Sequence, residues 1–161
     1  MLAGRAKDLP VAVDSLGTLE LGPVPALPEA VEIAQDYGVD LSPHRARSLA
    51  EADLSPYDLV VGFEQMHVAT AVVDGGAALE RAFTLPELVG LLEETPAAVQ
   101  GDVTKRARAK IRAAHTARAA DYPRNSVPEI ADPLGKTWPA QRRTAEELRE
   151  LVDELASRLF D

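Results

Sequence analysis

The apolar run at residues 59 to 63, within "YDLVVGF", constrains the fold of this chain more than any other segment. The run is nearly continuous and is bounded by Pro56 and Glu64. A strand that is buried on both faces of a parallel sheet shows such a run, whereas a strand with one exposed face alternates apolar and polar residues. The run therefore predicts a strand in the interior of a layered fold.

Strand and helix patterns alternate along the rest of the chain. Two further strands are predicted at residues 11 to 14 and 81 to 83. The last helix is predicted to begin at Thr144, which stands at capping-box spacing from Glu147. Alternation without hairpin signals predicts an α/β fold, in which parallel strands are joined by right-handed crossovers. Helices are predicted at residues 28 to 38, 66 to 73, 85 to 94, 97 to 118 with an interruption near Gly101, and 144 to 160.

Length and charge limit the classes of function. A chain of 161 residues, of which 46% are hydrophobic, can bury one substantial core, and we expect a single domain. The net charge of -9 repels polyanions, which argues against binding to nucleic acid or to an anionic membrane surface. No apolar run approaches the length that spans a bilayer, and the start lacks a secretion signal, so we expect a cytoplasmic location.

Several kinds of catalytic site can be excluded from the residue types alone. The chain contains no cysteine, so these 161 residues hold no disulfide, thiolate metal site or cysteine nucleophile. A phosphate loop at "PLGKT" would require a glycine where Ile130 stands. No serine has the G-x-S-x-G setting of a hydrolase nucleophile.

The histidines give no complete metal site. Glu64 and His67 share one helical face and supply half of a carboxylate–histidine site, but a second pair of this kind is missing. His44 and His115 lie in separate predicted elements. We therefore predict no metal, and we interpret His67 as a residue that forms a local hydrogen bond at the start of a helix.

Asp132, in "VPEIADPLGKTW", is the strongest candidate for chemistry. Pro133 disfavours helix at Asp132 and Gly135 permits a sharp turn, so the carboxyl group is predicted to be displayed on a loop. Such a carboxyl can donate a proton to a leaving group when another residue supplies the nucleophile. Taken alone, Asp132 also fits an aspartate that only forms a turn.

Together these segments resemble the low-molecular-weight protein tyrosine phosphatase family over nearly the whole chain. The most specific are "GVDLSPHRARSL", which is similar to the family's Gly-(Ile/Val)-(Asp/Asn)-x-x-x-His-x-Ala-Arg segment, and the late Asp-Pro of "EIADPLG". The others are "VAVDSLGT", "YDLVVGFEQMHV" and "RAFTLPELVGLL". The resemblance implies a three-layer α-β-α fold with four parallel strands, a phosphate loop after the first strand, and no cofactor.

The resemblance also implies a reaction and roles for named residues. In the family a cysteine thiolate attacks phosphorus, loop amides and an arginine hold the phosphate oxygens, and an aspartate protonates the leaving phenolate. Asp132 matches that general acid. Ser15 and His44 match polar residues that support the phosphate loop, and Glu64 stands where the family usually has an aspartate. The implied partner is a phosphorylated protein or a small phosphoester.

The sequence has no counterpart of the family's first strand, its Cys-x5-Arg loop or most of its first helix. We therefore expect about three strands instead of four, a domain that is incomplete at its N-terminus, and no hydrolysis by these residues alone. One account is a true start upstream of Met1, so that the complete protein hydrolyses phosphotyrosine. Another is a non-catalytic binding module, with the basic helix between Lys105 and Arg118 as its anion-facing surface. An arsenate reductase-like protein is a further alternative, although no resolving cysteine is present.

Overall fold

A small parallel sheet organises the computed structural model, which describes residue 2 and residues 9 to 94, 100 to 121 and 127 to 161. The strands β1 (Val60–Gly62) and β2 (Ala82–Thr84) pair in parallel. The strands predicted at residues 59 to 63 and 81 to 83 are therefore confirmed. Compared with the prediction, β1 is shorter and β2 begins one residue later. The α/β class is confirmed as well.

Five α-helices accompany the sheet in the described ranges, and each overlaps a helix predicted from the sequence. The predicted interruption near Gly101 agrees with the start of the fourth helix, while residues 97 to 99 lie outside the described part of the chain. None of the described helices has the length and apolar character that crossing a membrane requires. The helices are α1 (Pro28–Asp36), α2 (Gln65–Val73), α3 (Leu85–Glu93), α4 (Val103–Asp121) and α5 (Trp138–Phe160).

The sheet separates two apolar clusters. Phe83 is fully buried and packs, with Leu59 and Val61, against α3, α4 and α5. On the opposite face, Val60 and Ala82 pack against α2 and the segments on either side of it. Alternate residues of a strand point to opposite faces, which explains this division. Both faces are covered, as the apolar run predicted.

The predicted strand at residues 11 to 14 is wrong. These residues form no strand in the described part of the chain, and Val11 and Val13 remain 40% and 39% exposed. A strand needs a hydrogen-bonded neighbour, and a groove separates these residues from β1. About three strands were expected from the sequence, and the sheet has two within the described residues.

The last helix begins earlier than predicted, at Trp138 and not at Thr144. Pro139 occupies its first turn, where proline is tolerated because the N–H that it lacks would have no intrahelical partner. Thr144 lies inside the helix, and its hydroxyl donates to the carbonyl of Ala140 at 3.3 Å. The spacing of Thr144 and Glu147 therefore does not mark the start of this helix.

Candidate functional site

The segment that carries Asp132 crosses the carboxyl ends of both strands. The N–H of Ile130 donates to the carbonyl of Phe63, directly after β1, at 2.8 Å. The hydroxyl of Thr84, the last residue of β2, donates to the carbonyl of Pro128 at 2.7 Å. In open α/β sheets, ligands bind outside the carboxyl ends of the strands. Asp132 therefore lies at the edge of the sheet where a reaction site is expected.

Asp132 is exposed, as its predicted position on a loop requires. Its Oδ1 accepts a hydrogen bond from the N–H of Leu134 at 2.8 Å, and Gly135 follows with a φ of 73°. This is the turn geometry expected of an aspartate before Pro-x-Gly. The Oδ2 atom has no hydrogen-bond partner among the described residues. The turn therefore occupies one carboxyl oxygen and leaves the other available.

Glu64 connects the Asp132 segment to the start of α2. Its Oε1 accepts a hydrogen bond from the N–H of Asp132 at 3.3 Å. Its own N–H donates to Nδ1 of His67 at 3.2 Å, so Nδ1 carries no proton in this arrangement. The local hydrogen bond predicted for His67 is thus confirmed. Within the described ranges, no group of three or more acidic, histidine or cysteine side chains could hold a metal ion.

Ser15 and His44 are the two residues predicted to support a phosphate loop. Ser15 is exposed, and His44 is half-buried with its N–H donating to the carbonyl of Leu41 at 3.0 Å. No hydrogen bond joins Ser15 to His44 in the part of the chain that the structure describes. Their roles therefore stay predictions.

A polar cluster beside Ser15 was not anticipated from the sequence. The carboxylate of Asp14 accepts a hydrogen bond from the hydroxyl of Tyr57 at 2.8 Å and pairs with Arg47 at 2.9 Å. The hydrogen bond to Asp14 raises the pKa of the Tyr57 hydroxyl. These residues come from three separate segments, so no local spacing could have indicated that they meet.

Comparison with known proteins places these features in a known architecture. No family model and no curated protein matches the chain. A solved structure of a low-molecular-weight protein tyrosine phosphatase from T. tengcongensis matches with a TM-score of 0.65 and 27% identity, over 98% of this chain and 86% of that chain. The chain has a low-molecular-weight phosphatase-like fold. The resemblance inferred from the sequence is confirmed, and the chain combines this fold with the absence of cysteine.

A groove interrupts the phosphatase-like fold beside β1. It has a volume of about 540 Å³ and a mostly apolar lining. Residues 10 to 14 line it together with Leu59 and Val61, while α4 and α5 contribute Ala107, Ile111 and Leu155. The groove therefore lies between β1 and residues 11 to 14, which do not form the predicted strand.

The basic residues of α4 mostly contact other parts of this phosphatase-like chain. The Nζ of Lys110 donates to the carbonyl of Arg158 at 2.6 Å, and Arg106 donates to that of Phe160 at 3.1 Å. These contacts place positive charge at the C-terminal end of α5, where the helix dipole favours it. Further partners are Asp102 for Lys105, Asp58 for Arg108 and Glu87 for Arg118.

Proposed function

We propose that this chain is the larger part of a low-molecular-weight protein tyrosine phosphatase that hydrolyses phosphoesters, phosphotyrosine among them, through a cysteine-phosphate intermediate. The nucleophilic cysteine and its loop come from outside these 161 residues. The observation that carries the proposal is the position of Asp132, at the carboxyl ends of the strands with Oδ2 available. The likeness to the phosphatase from T. tengcongensis supports it.

Asp132 would act in both steps of this reaction. In the first step, the thiolate forms a bond to phosphorus, the bond from phosphorus to the ester oxygen breaks, and the protonated carboxyl of Asp132 gives its proton to the leaving oxygen. In the second step, the Asp132 carboxylate accepts a proton from water as that water attacks phosphorus and releases the thiolate. Exposure of Asp132 allows both the leaving group and water to reach it.

The groove beside β1 supports the idea of a missing strand. A strand placed there would give backbone partners to the edge of β1 that faces away from β2. It would also cover the apolar residues of α4 and α5 that line the groove. With that strand present, residues 11 to 14 would gain a neighbour, and the layered α-β-α architecture of the family would be complete. Ser15 and His44 would then support the phosphate loop.

The proposal is tested by comparing this chain with a version extended upstream of Met1. Both proteins are assayed on an aryl phosphate under the same conditions. We expect no turnover by the 161-residue chain, because it contains no cysteine, and turnover by the extended version. Equal activity of the two proteins would contradict the proposal. So would an extended version that carries the Cys-x5-Arg loop and has no activity.

A non-catalytic binding module is the alternative, and the absence of cysteine is the observation that favours it. Titration of the 161-residue chain with a phosphotyrosine peptide distinguishes the two. Saturable binding that weakens with added salt would support the module. Most basic residues of α4 already have hydrogen-bond or ion-pair partners within the chain. These partners reduce the positive charge that α4 could offer to a phosphopeptide.

A further inference from the structure

A second glutamate holds the Asp132 segment against the start of α2. The Oε1 atom of Glu129 accepts a hydrogen bond from the N–H of Gln65 at 2.6 Å. Gln65 is the first residue of α2, and the first N–H groups of a helix have no partner within the helix. The helix dipole also favours a carboxylate at this end. Glu129, which is 64 positions away in the sequence, therefore caps α2.

Three residues of the Asp132 segment form hydrogen bonds with the residues that join β1 to α2. Glu129 binds Gln65, Ile130 donates to the carbonyl of Phe63 at 2.8 Å, and Asp132 donates to Glu64 at 3.3 Å. The Glu129 and Glu64 contacts both use a carboxylate acceptor, and a hydrogen bond to an ionised carboxylate is roughly twice as strong as a neutral one. The Glu129 contact is the shortest of the three. Glu129 thus provides a strong anchor three residues before Asp132.

We propose that Glu129 is a positioning residue for Asp132. Its carboxylate fixes the segment at the N-terminus of α2. The segment in turn holds the Asp132 carboxyl beside the carboxyl ends of β1 and β2. The catalytic part of this inference rests on the function proposed above. The anchoring part does not, and it can be measured in the 161-residue chain itself.

The anchor is tested first by NMR on the isotope-labelled 161-residue chain. We expect a scalar coupling through the hydrogen bond between the amide nitrogen of Gln65 and the carboxyl carbon of Glu129. Glu129→Ala should accelerate amide exchange of Gln65 and Asp132 by about tenfold, because a hydrogen bond to a charged group is lost. Glu129→Gln keeps an acceptor oxygen and should restore part of the protection. Glu146→Ala, which removes an exposed carboxylate of α5, is the matched control.

The positioning role is tested in the version extended upstream of Met1, on two aryl phosphates. Phenyl phosphate has a poor leaving group and needs the proton of Asp132, whereas 2,4-dinitrophenyl phosphate has a good leaving group and needs it far less. We expect Glu129→Ala to lower kcat/KM on phenyl phosphate by about tenfold or more, with little change in kcat/KM on the dinitrophenyl ester, because kcat/KM reports the first step, in which the leaving group departs. Glu129→Gln should recover most of the loss.

The outcomes separate the two proposals. Equal losses of kcat/KM on both substrates would show a general structural defect and overturn the positioning role. Unchanged amide exchange of Gln65 in Glu129→Ala would overturn the anchor. An extended version that hydrolyses neither substrate would contradict the proposed function, while the NMR result would still decide the anchor.

Discussion

The guanidinium of Arg118 lies 3.0 Å from the carboxylate of Glu87 and joins α4 to α3 inside the core. The two side chains are only 17% and 6% exposed. Arg118 also donates to the carbonyl of Ala82 at 2.7 Å, and its Cζ atom lies 3.7 Å from the centre of the Phe83 ring. Burial lowers the pKa of the Arg118 guanidinium, and the neighbouring Glu87 opposes this effect. One ion pair thus binds two helices to β2.

Arg118→Met should lower the free energy of unfolding by about 3 kcal/mol or more, because it strands the buried carboxylate of Glu87. Adding Glu87→Gln removes that charge and should recover part of the loss. Denaturant unfolding of both variants measures the difference. Lys105→Met, in the exposed pair with Asp102, should have a far smaller effect. A double variant that is less stable than Arg118→Met would contradict this account.

Gly62→Ala should destabilise the protein by about 1–3 kcal/mol, because the added methyl overpacks the junction between β1 and α2. A Cβ atom at Gly62 would stand 2.9 Å from Cβ of His67 and 3.2 Å from Cγ2 of Val68. Gly90→Ala in α3 is the control, since a Cβ atom there meets nothing within 4 Å. This second change should stabilise α3 by about 1 kcal/mol, because alanine favours the helix. Thermal unfolding of the two variants should shift in opposite directions.

The pair of Asp58 and Arg108 should make stability depend on pH in the acid range. Two hydrogen bonds, of 2.7 and 2.9 Å, join the carboxylate to the guanidinium, and they lower the Asp58 pKa below its ordinary 3.8. A carboxyl group whose pKa is depressed by folding contributes stability above its unfolded value, and this is lost as the pH falls through the folded value. Asp58→Asn should therefore narrow the difference in unfolding free energy between about pH 6, above the ordinary carboxyl pKa, and about pH 3, below it. The effect should be small, since both side chains are half exposed. If Asp58→Asn unfolds with the same pH dependence as the parent, the pair of Asp58 and Arg108 does not contribute to the pH dependence of stability.

Asp132→Asn, made in the version extended upstream of Met1, should lower kcat/KM on phenyl phosphate by about 10²–10⁴, because asparagine cannot give the leaving oxygen a proton. The loss should be much smaller on 2,4-dinitrophenyl phosphate. Steady-state kinetics on the two esters measures the contrast. Equal activity of Asp132→Asn and its parent on phenyl phosphate would leave Asp132 as a turn-forming residue only.

The order of strands and helices was predictable because it depends on local patterns. The apolar run before Glu64 identified β1, and the periodicity after Pro28 identified α1. Asp132 was expected on a loop because Pro133 and Gly135 restrict the backbone beside it, and the loop is found there. Each of these patterns depends on a few neighbouring residues, so it can be recognised in the sequence without knowledge of the rest of the fold.

The wrong strand at residues 11 to 14 and the unforeseen partners of α4 both depend on contacts between distant residues. Residues 11 to 14 have the composition of a strand, but no neighbouring strand is available to pair with them in the described part of the chain. The partners of the α4 cations, such as Glu87 and the C-terminal carbonyls of α5, likewise lie far away in the sequence. Neither outcome can be seen in a local pattern.

By itself the sequence determined the α/β class, the likeness to the phosphatase family and the absence of a cysteine nucleophile, because residue types and short-range periodicity carry this information. Only the tertiary structure decided what surrounds Asp132. Glu129 anchors its segment to Gln65 and Glu64 accepts its N–H, across 64 and 68 positions of the chain. Hydrogen bonds over such separations exist only after folding brings the strand ends, α2 and the loop together.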